Sequence, residues 1–140
     1  MSKTSDGLIH FGLDIGSTTV KLLVMNGHRE VLFKEYLRHR SDIKESVITL
    51  LEKAYDRFGD RPVTIKAAGS AGISIAEWLD IPFVQEVVAS STAIGELIPQ
   101  TDVAIELGGE DAKITYFDGT IDQRMNGTCA GGTGAFIDQM

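Results

Sequence analysis

One cysteine, Cys129, stands alone among 140 residues, so no disulfide can close within the chain and a secreted, cross-linked scaffold is excluded. Any role for that sulfur involves a metal, a partner chain or redox chemistry. Positive charge is also scarce. Thirteen Lys and Arg face twenty Asp and Glu, for a formal charge of −7, with no Lys/Arg-rich block anywhere. A binder of the nucleic-acid backbone, which draws its affinity from neutralised phosphates, is not expected from such a chain. Long apolar runs are missing as well. Although 43% of the residues are hydrophobic, no window offers the roughly 20 apolar residues that span a bilayer. Residues 1–7 are polar, without the apolar centre of a secretory signal. The expectation is a soluble cytoplasmic protein with neither a membrane nor nucleic acid as partner. The length still suffices for an ordinary domain that buries roughly two-thirds of its unfolded surface.

The periodicity of what is present divides the chain into strands and helices. Residues 8–15 (LIHFGLDI), 19–25 (TVKLLVM) and 30–37 (EVLFKEYL) read as three antiparallel strands, with Gly16 ending the first and Asn26–Gly27 turning the second into the third. From Ser41 the spacing changes to three and four, through Ile43, Val47, Leu50, Leu51, Ala54, Tyr55 and Phe58. This predicts an amphipathic helix over 42–58, capped by Ser41 or Asp42 and ended by Gly59. A strand at 63–68, a flexible turn at Gly69–Gly72, a short helix at 71–79 carrying Trp78 and a longer helix at 86–98 complete the pattern. The order implies an α/β unit with a mixed, five-stranded sheet covered by helices.

After Pro99 the pattern restarts, with a three-stranded meander at 102–125. An offset of 92 carries Asp14 onto Glu106, Gly16 onto Gly108, Lys21 onto Lys113 and Gly27 onto Gly119. Such self-similarity points to an internal repeat, although two hairpins with turn glycines can also coincide. The second copy is incomplete: it runs through residues 126–134 (NGTCAGGTG) into the beginning of a helix, so the expectation is an N-terminal piece of a longer protein.

Candidate chemistry sits at the turns. Asp14 at a strand end, followed by Gly16, Ser17, Thr18 and Thr19, puts backbone N–H groups where phosphate oxygens can approach, with no side chain in the way at the glycine. The carboxylate could hold Mg²⁺ through water while the hydroxyls and Lys21 address phosphates, the charge arrangement phosphoryl transfer requires. The competing reading is a tight hairpin whose aspartate accepts turn N–H groups. Glu106, Gly108, Gly109, Glu110 and Asp111 form the second such turn, which would face the first across a cleft if the repeats are pseudosymmetric domains. Its three carboxylates require a cation or solvent to coexist, as a metal–nucleotide site or as a solvated acidic turn. Cys129, before Gly131 and Gly132 and the final helical segment, is placed either as a thiolate favoured by a helix N-terminus or as a small buried hydrophobe.

The segments DIGSTTVK (14–21), ELGGEDAK (106–113) and NGTCAGGTGAF (126–136) together resemble the ATP-dependent activators of 2-hydroxyacyl-CoA dehydratases and benzoyl-CoA reductases, of the superfamily of acetate and sugar kinases, Hsp70 and actin. The resemblance runs over essentially the whole chain. It implies a ribonuclease H-like domain at 1–99 and the N-terminal part of a second at 100–140. It also implies ATP, Mg²⁺ and a homodimer bridged by one [4Fe–4S] cluster, with ATP hydrolysis driving a low-potential electron to a dehydratase-type iron–sulfur partner.

By position, the resemblance makes Asp14 the Mg²⁺-associated acid, Ser17 and Thr18 phosphate ligands beside Gly16, Thr19 and Lys21, and Gly108–Gly109 the second phosphate turn with Asp111. Cys129 becomes a cluster ligand, backed by the glycine turn Gly132, Thr133 and Gly134. Where short activators carry Asp and Gln this chain has Glu106 and Glu110, its counterparts for orienting water. Ser90 and Ser91 stand where short members often have a histidine. The wording ELGGEDAK and AEWLDIPFVQEVV (76–88) looks more like the very large proteins that fuse two activator modules to dehydratase-like regions. The second cluster cysteine and the adenine pocket are expected beyond Met140, so the piece alone is expected to be weak or inactive as an ATPase. Two other functions fit the turns: a small-molecule kinase of the same superfamily, and a non-catalytic nucleotide-sensing module.

Overall fold

The computed structural model describes residues 7–109 and 111–125. Alternation decides the first sheet: along residues 19–25, Val20, Leu22 and Val24 are fully buried while Lys21 between them is exposed. Three strands, β1 (Ile9–Ile15), β2 (Thr19–Met25) and β3 (Val31–Arg38), pair antiparallel in sequence. A fourth, β4 (Val63–Ala68), joins β1 in parallel, giving the order β3-β2-β1-β4. Leu13 of β1 lies opposite Leu22 of β2 and beside Ala67 of β4, so one face of the sheet is continuous hydrophobic core. Each such fully buried Leu, Ile or Val contributes about 1.5–3 kcal/mol. The same alternation sends Asp14 and its cross-strand partner Lys21 to the other face.

Two helices cover the core. In α1 (Ile43–Phe58), Val47, Leu50 and Ala54 fall one turn apart and are buried against the sheet. Of the two residues able to cap it, Asp42 does so, its carboxylate accepting from the Glu45 N–H at 3.1 Å, and Gly59 closes the end at φ 69 with its N–H on the Tyr55 carbonyl. Phe58 meets Phe33 of β3 edge-on at 6.4 Å. The shorter α2 (Gly72–Leu79) buries Ile75 and Ala76 and packs on β4 and β1.

Among the described residues the expected fifth strand does not join this sheet. Phe83 makes one isolated parallel bridge to Ala67, flanked by Ala67 N–H to the Pro82 carbonyl (2.9 Å) and Val84 N–H to the Ala67 carbonyl (2.8 Å). Pro82 has no N–H to extend a ladder, and the next helix, α3 (Glu86–Leu97), begins almost at once.

The chain divides into two compact units between Val84 and Gln85, and α3 goes with the second. In this unit β5 (Val103–Leu107), β6 (Ala112–Tyr116) and β7 (Asp122–Met125) form the expected antiparallel meander. Its tie to α3 is specific: Lys113 of β6, buried, donates from Nζ to Glu86 Oε2 in the first turn of the helix. No described helix is long and apolar enough to cross a membrane.

Candidate functional site

The repeat seen in the sequence is reproduced bond for bond at the two turns. In the first, Asp14 pairs with Lys21 and Ile15 with Val20, and the Gly16 N–H donates to the Thr19 carbonyl at 2.9 Å. In the second, Glu106 pairs with Lys113 and Leu107 with Ala112, and the Gly108 N–H donates to the Asp111 carbonyl at 2.8 Å. The two hairpins therefore share loop length, register and closing bond.

Their surroundings differ. At the first turn Ser17 is exposed at the tip and hydrogen-bonds no described residue. Asp14 Oδ2 accepts from Lys21 Nζ at 3.4 Å, and both side chains are about half exposed (48% and 58%), an ion pair worth between about 0 and 1 kcal/mol and easily exchanged for another partner. A methyl group on Gly16 would meet nothing closer than the Thr19 carbonyl oxygen at 3.6 Å, an ordinary contact. Nothing inside the protein therefore demands glycine at that position.

At the second turn the space beside the glycine is narrower, with the Asp111 carbonyl oxygen 3.1 Å from a Cβ on Gly108. A Cβ on Gly108 would lie 2.5 Å from Asp111 Oδ1. The acidic cluster that seemed to need a metal or solvent has an internal cation in Lys113, only 5% exposed. Burial by itself disfavours the Lys113 charge, but the hydrogen bond to Glu86 and the charges of Glu106, Glu86 and Asp111 outweigh it, and the net effect raises its pKa above the ordinary 10.5. Glu110, Cys129, Gly132, Thr133 and Gly134 lie outside the described residues, as does the helix expected after them.

Two residues at the first turn were not singled out by the sequence. Gly69, read there as part of a flexible turn, is held at φ +99 against the end of β1, where a Cβ would stand 2.3 Å from the Ile15 carbonyl oxygen and 2.7 Å from Asp14 Oδ1. The Ala71 N–H donates to the same Ile15 carbonyl at 3.0 Å, so the loop after β4 is fixed beneath the Asp14 carboxylate. The parallel β1–β4 pairing creates this meeting, since it brings two strand C-termini together, the usual place for ligands in α/β sheets. His39, buried directly after β3, is bonded to the Gly16–Thr18 segment: its N–H donates to the Thr18 carbonyl and its Nε2 lies 3.1 Å from the Gly16 oxygen. A glycine in GSAG hints at close backbone approach, but nothing local in RHRSD marks His39.

Chemically, the first turn offers a half-exposed carboxylate, an open amide and hydroxyl, and a loosely paired lysine. That set fits Mg²⁺ held through water, because magnesium takes only one or two carboxylates when phosphates complete its shell. Direct ligation is another matter: among the described residues no group of three His, Cys, Asp or Glu could hold a metal. A four-iron cluster takes four thiolates, and this chain has one cysteine, so its own residues do not fit that group.

These turns and this sheet define the class. The fold is the actin-like α/β fold of the acetate and sugar kinase, Hsp70 and actin superfamily. Within it, the chain is a relative of the activators of 2-hydroxyacyl-CoA dehydratases. It is 29% identical over 133 residues to a 2-hydroxyisocaproyl-CoA dehydratase activator of Clostridioides difficile, matching 92% of this chain and 50% of that protein. It is 28% identical over 134 residues to an (R)-2-hydroxyglutaryl-CoA dehydratase activating ATPase of Acidaminococcus fermentans, matching 92% and 51%. A solved structure of the Clostridium difficile activator with bound ADPNP superposes with a TM-score of 0.82 at 27% identity, over 94% of this chain and 50% of that one. The chain thus spans about half the length of the relatives it matches. No protein-family model matches it.

Proposed function

We propose that this chain carries the phosphate-binding turns of an ATP-hydrolysing protein that activates a partner of the 2-hydroxyacyl-CoA dehydratase type. The observation that carries the reading is the first turn: Gly16 has no internal reason to be glycine, and beside it stand an open Ser17 and the half-exposed Asp14. A bare backbone at an exposed turn suits the close approach of phosphate oxygens. The relatives' names, a dehydratase activator and an activating ATPase, support both ATP as ligand and a dehydratase as partner.

In this reading Ser17 and Thr18 contact phosphate, with Thr19 closing the turn through its carbonyl. Asp14 would hold Mg²⁺ through water, and Lys21 would leave its weak pair with Asp14 to meet a phosphate. Bound Mg²⁺ supplies neutralisation of charge on the phosphate oxygens. Gly108, Gly109 and Asp111 form the second phosphate turn, and Glu106 and Glu110 orient the attacking water. Lys113, committed to Glu86, stays structural. The homodimer and the electron delivered through an iron–sulfur cluster belong to the longer protein. Two copies of this chain provide two thiolates, so no electron-transfer step is assigned to the residues described.

The test is made on the full-length protein. With ATP and Mg²⁺ it should release phosphate and, mixed with a 2-hydroxyacyl-CoA dehydratase under anaerobic reducing conditions, switch on dehydration only while ATP is present. Absence of phosphate release would remove the reading. Transfer of the γ-phosphoryl group to a small-molecule acceptor in place of water would replace it by a kinase.

A further inference from the structure

We propose that His39 is a positioning residue for the nucleotide phosphates, acting through the Gly16–Ser17 peptide. The proposal rests on the ATP reading of the first turn and adds to it the device that keeps the turn set before nucleotide arrives.

The hydrogen bonds around His39 determine the state of its ring. Nδ1 lies 3.1 Å from the Ser41 backbone N–H, which can only donate, so Nδ1 must be the bare, accepting nitrogen. The ring proton is then on Nε2, which donates to the Gly16 carbonyl oxygen at 3.1 Å, an atom that can only accept. One neutral tautomer satisfies both ends. The backbone holds the ring in place: the His39 N–H donates to the Thr18 carbonyl at 3.1 Å, and the His39 carbonyl accepts from the Asp42 N–H at 2.7 Å. Between them, Arg40 (φ 45) and Ser41 (φ 73) are consecutive non-glycine residues in left-handed backbone, a conformation that persists only where the surroundings impose it. With 7% exposure, the residue is not a solvated surface histidine.

The effect on the turn follows from the planarity of the peptide. In a trans peptide the C=O of one residue and the N–H of the next point in opposite directions. Drawing the Gly16 oxygen to His39 therefore aims the Ser17 N–H away from His39, out of the protein, where it meets no described residue. His39 never touches nucleotide. It fixes the direction of an amide that does.

The experiment compares wild type with His39→Leu and His39→Gln in the full-length protein. Leu keeps bulk and loses both polar ends, whereas Gln retains an N–H donor of similar reach. The KM for Mg-ATP, and the Kd for a non-hydrolysable analogue, should rise about tenfold in His39→Leu, as expected for loosening one charge-assisted hydrogen bond, and recover most of the way in His39→Gln. In ¹⁵N spectra of the wild type the ring should show the Nε2-protonated neutral tautomer, and the Ser17 amide signal should move both in His39→Leu and on adding the analogue. A wild type that neither binds nor hydrolyses ATP overturns the ATP reading and this proposal with it. An active wild type overturns this proposal alone if His39→Leu keeps its affinity, if His39→Gln is as weak as His39→Leu, or if the ring proton is on Nδ1. Where His39→Leu fails to fold, the wild-type tautomer and the movement of the wild-type Ser17 amide on adding the analogue decide the matter, a ring proton on Nδ1 or an unmoved Ser17 amide overturning the proposal.

Discussion

At Gly69 a methyl group would stand 2.3 Å from a backbone carbonyl oxygen, on a residue already at φ +99, while at Gly16 it would meet only ordinary contacts. The two glycines should therefore fail in opposite ways. Gly69→Ala is expected to lower unfolding stability by about 1–3 kcal/mol or more through overpacking and strain, read as a shift in the urea midpoint. Gly16→Ala should leave that midpoint unchanged or slightly raised, while Mg-ATP affinity falls about tenfold or more. Lys113 gives a second residue-scale expectation. Its folded pKa is raised above 10.5, so its contribution to stability is fully present below that value and is lost as pH rises through the higher folded value. Unfolding curves of wild type should weaken as the pH rises above 10.5 relative to Lys113→Met, which lacks the titrating group. Parallel loss in both proteins would show that Lys113 is not responsible.

Much of the element scale was written in the local pattern. The alternation in TVKLLVM and the three-and-four spacing from Ile43 to Phe58 predict β2 and α1 to within a residue or two, because burial on one face leaves its period in the sequence. The parallel β1–β4 pairing was not legible, and with it went the meeting of Gly69 with Asp14, which are brought together only by a crossover through α1. His39 was missed for a related reason, since its bond to Gly16 spans 23 residues. The helices α1 and α3 look alike in length of pattern yet differ in anchorage. The first has a side-chain cap and four buried residues, whereas the second has no side-chain cap and none buried. In α3 three consecutive residues, Ser90, Ser91 and Thr92, turn their hydroxyls back to carbonyls four residues earlier, a habit that weakens helices and that α1 shows at Ser46 and Thr49. Amide exchange should therefore be at least about a hundredfold slower at Val47–Ala54 than at Val88–Glu96, given that protected core amides exchange only by larger unfolding. Equal rates would mean that α3 is held by more than its bond from Lys113.

Across the described residues two hairpins share one turn register, and their surroundings differ. Leu13 and Ile15 are buried in the first copy, whereas the matching Ile105 and Leu107 are 68% and 58% exposed in the second. The acid–lysine register is kept in both, but Lys21 is exposed and loosely paired while Lys113 is buried and committed to Glu86. That asymmetry leaves the first turn the one whose acid and lysine are exposed and loosely paired, and the proposed placement of Mg²⁺ beside Asp14 stands on it. The measurement closest to the claim is phosphate release from Mg-ATP by the full-length protein and its Asp14→Ala variant, with binding of a non-hydrolysable analogue followed alongside. Loss of the carboxylate beside the metal should reduce turnover by a factor of about a hundred or more, with folding intact by circular dichroism. Undiminished turnover in Asp14→Ala would contradict the assignment of the first turn.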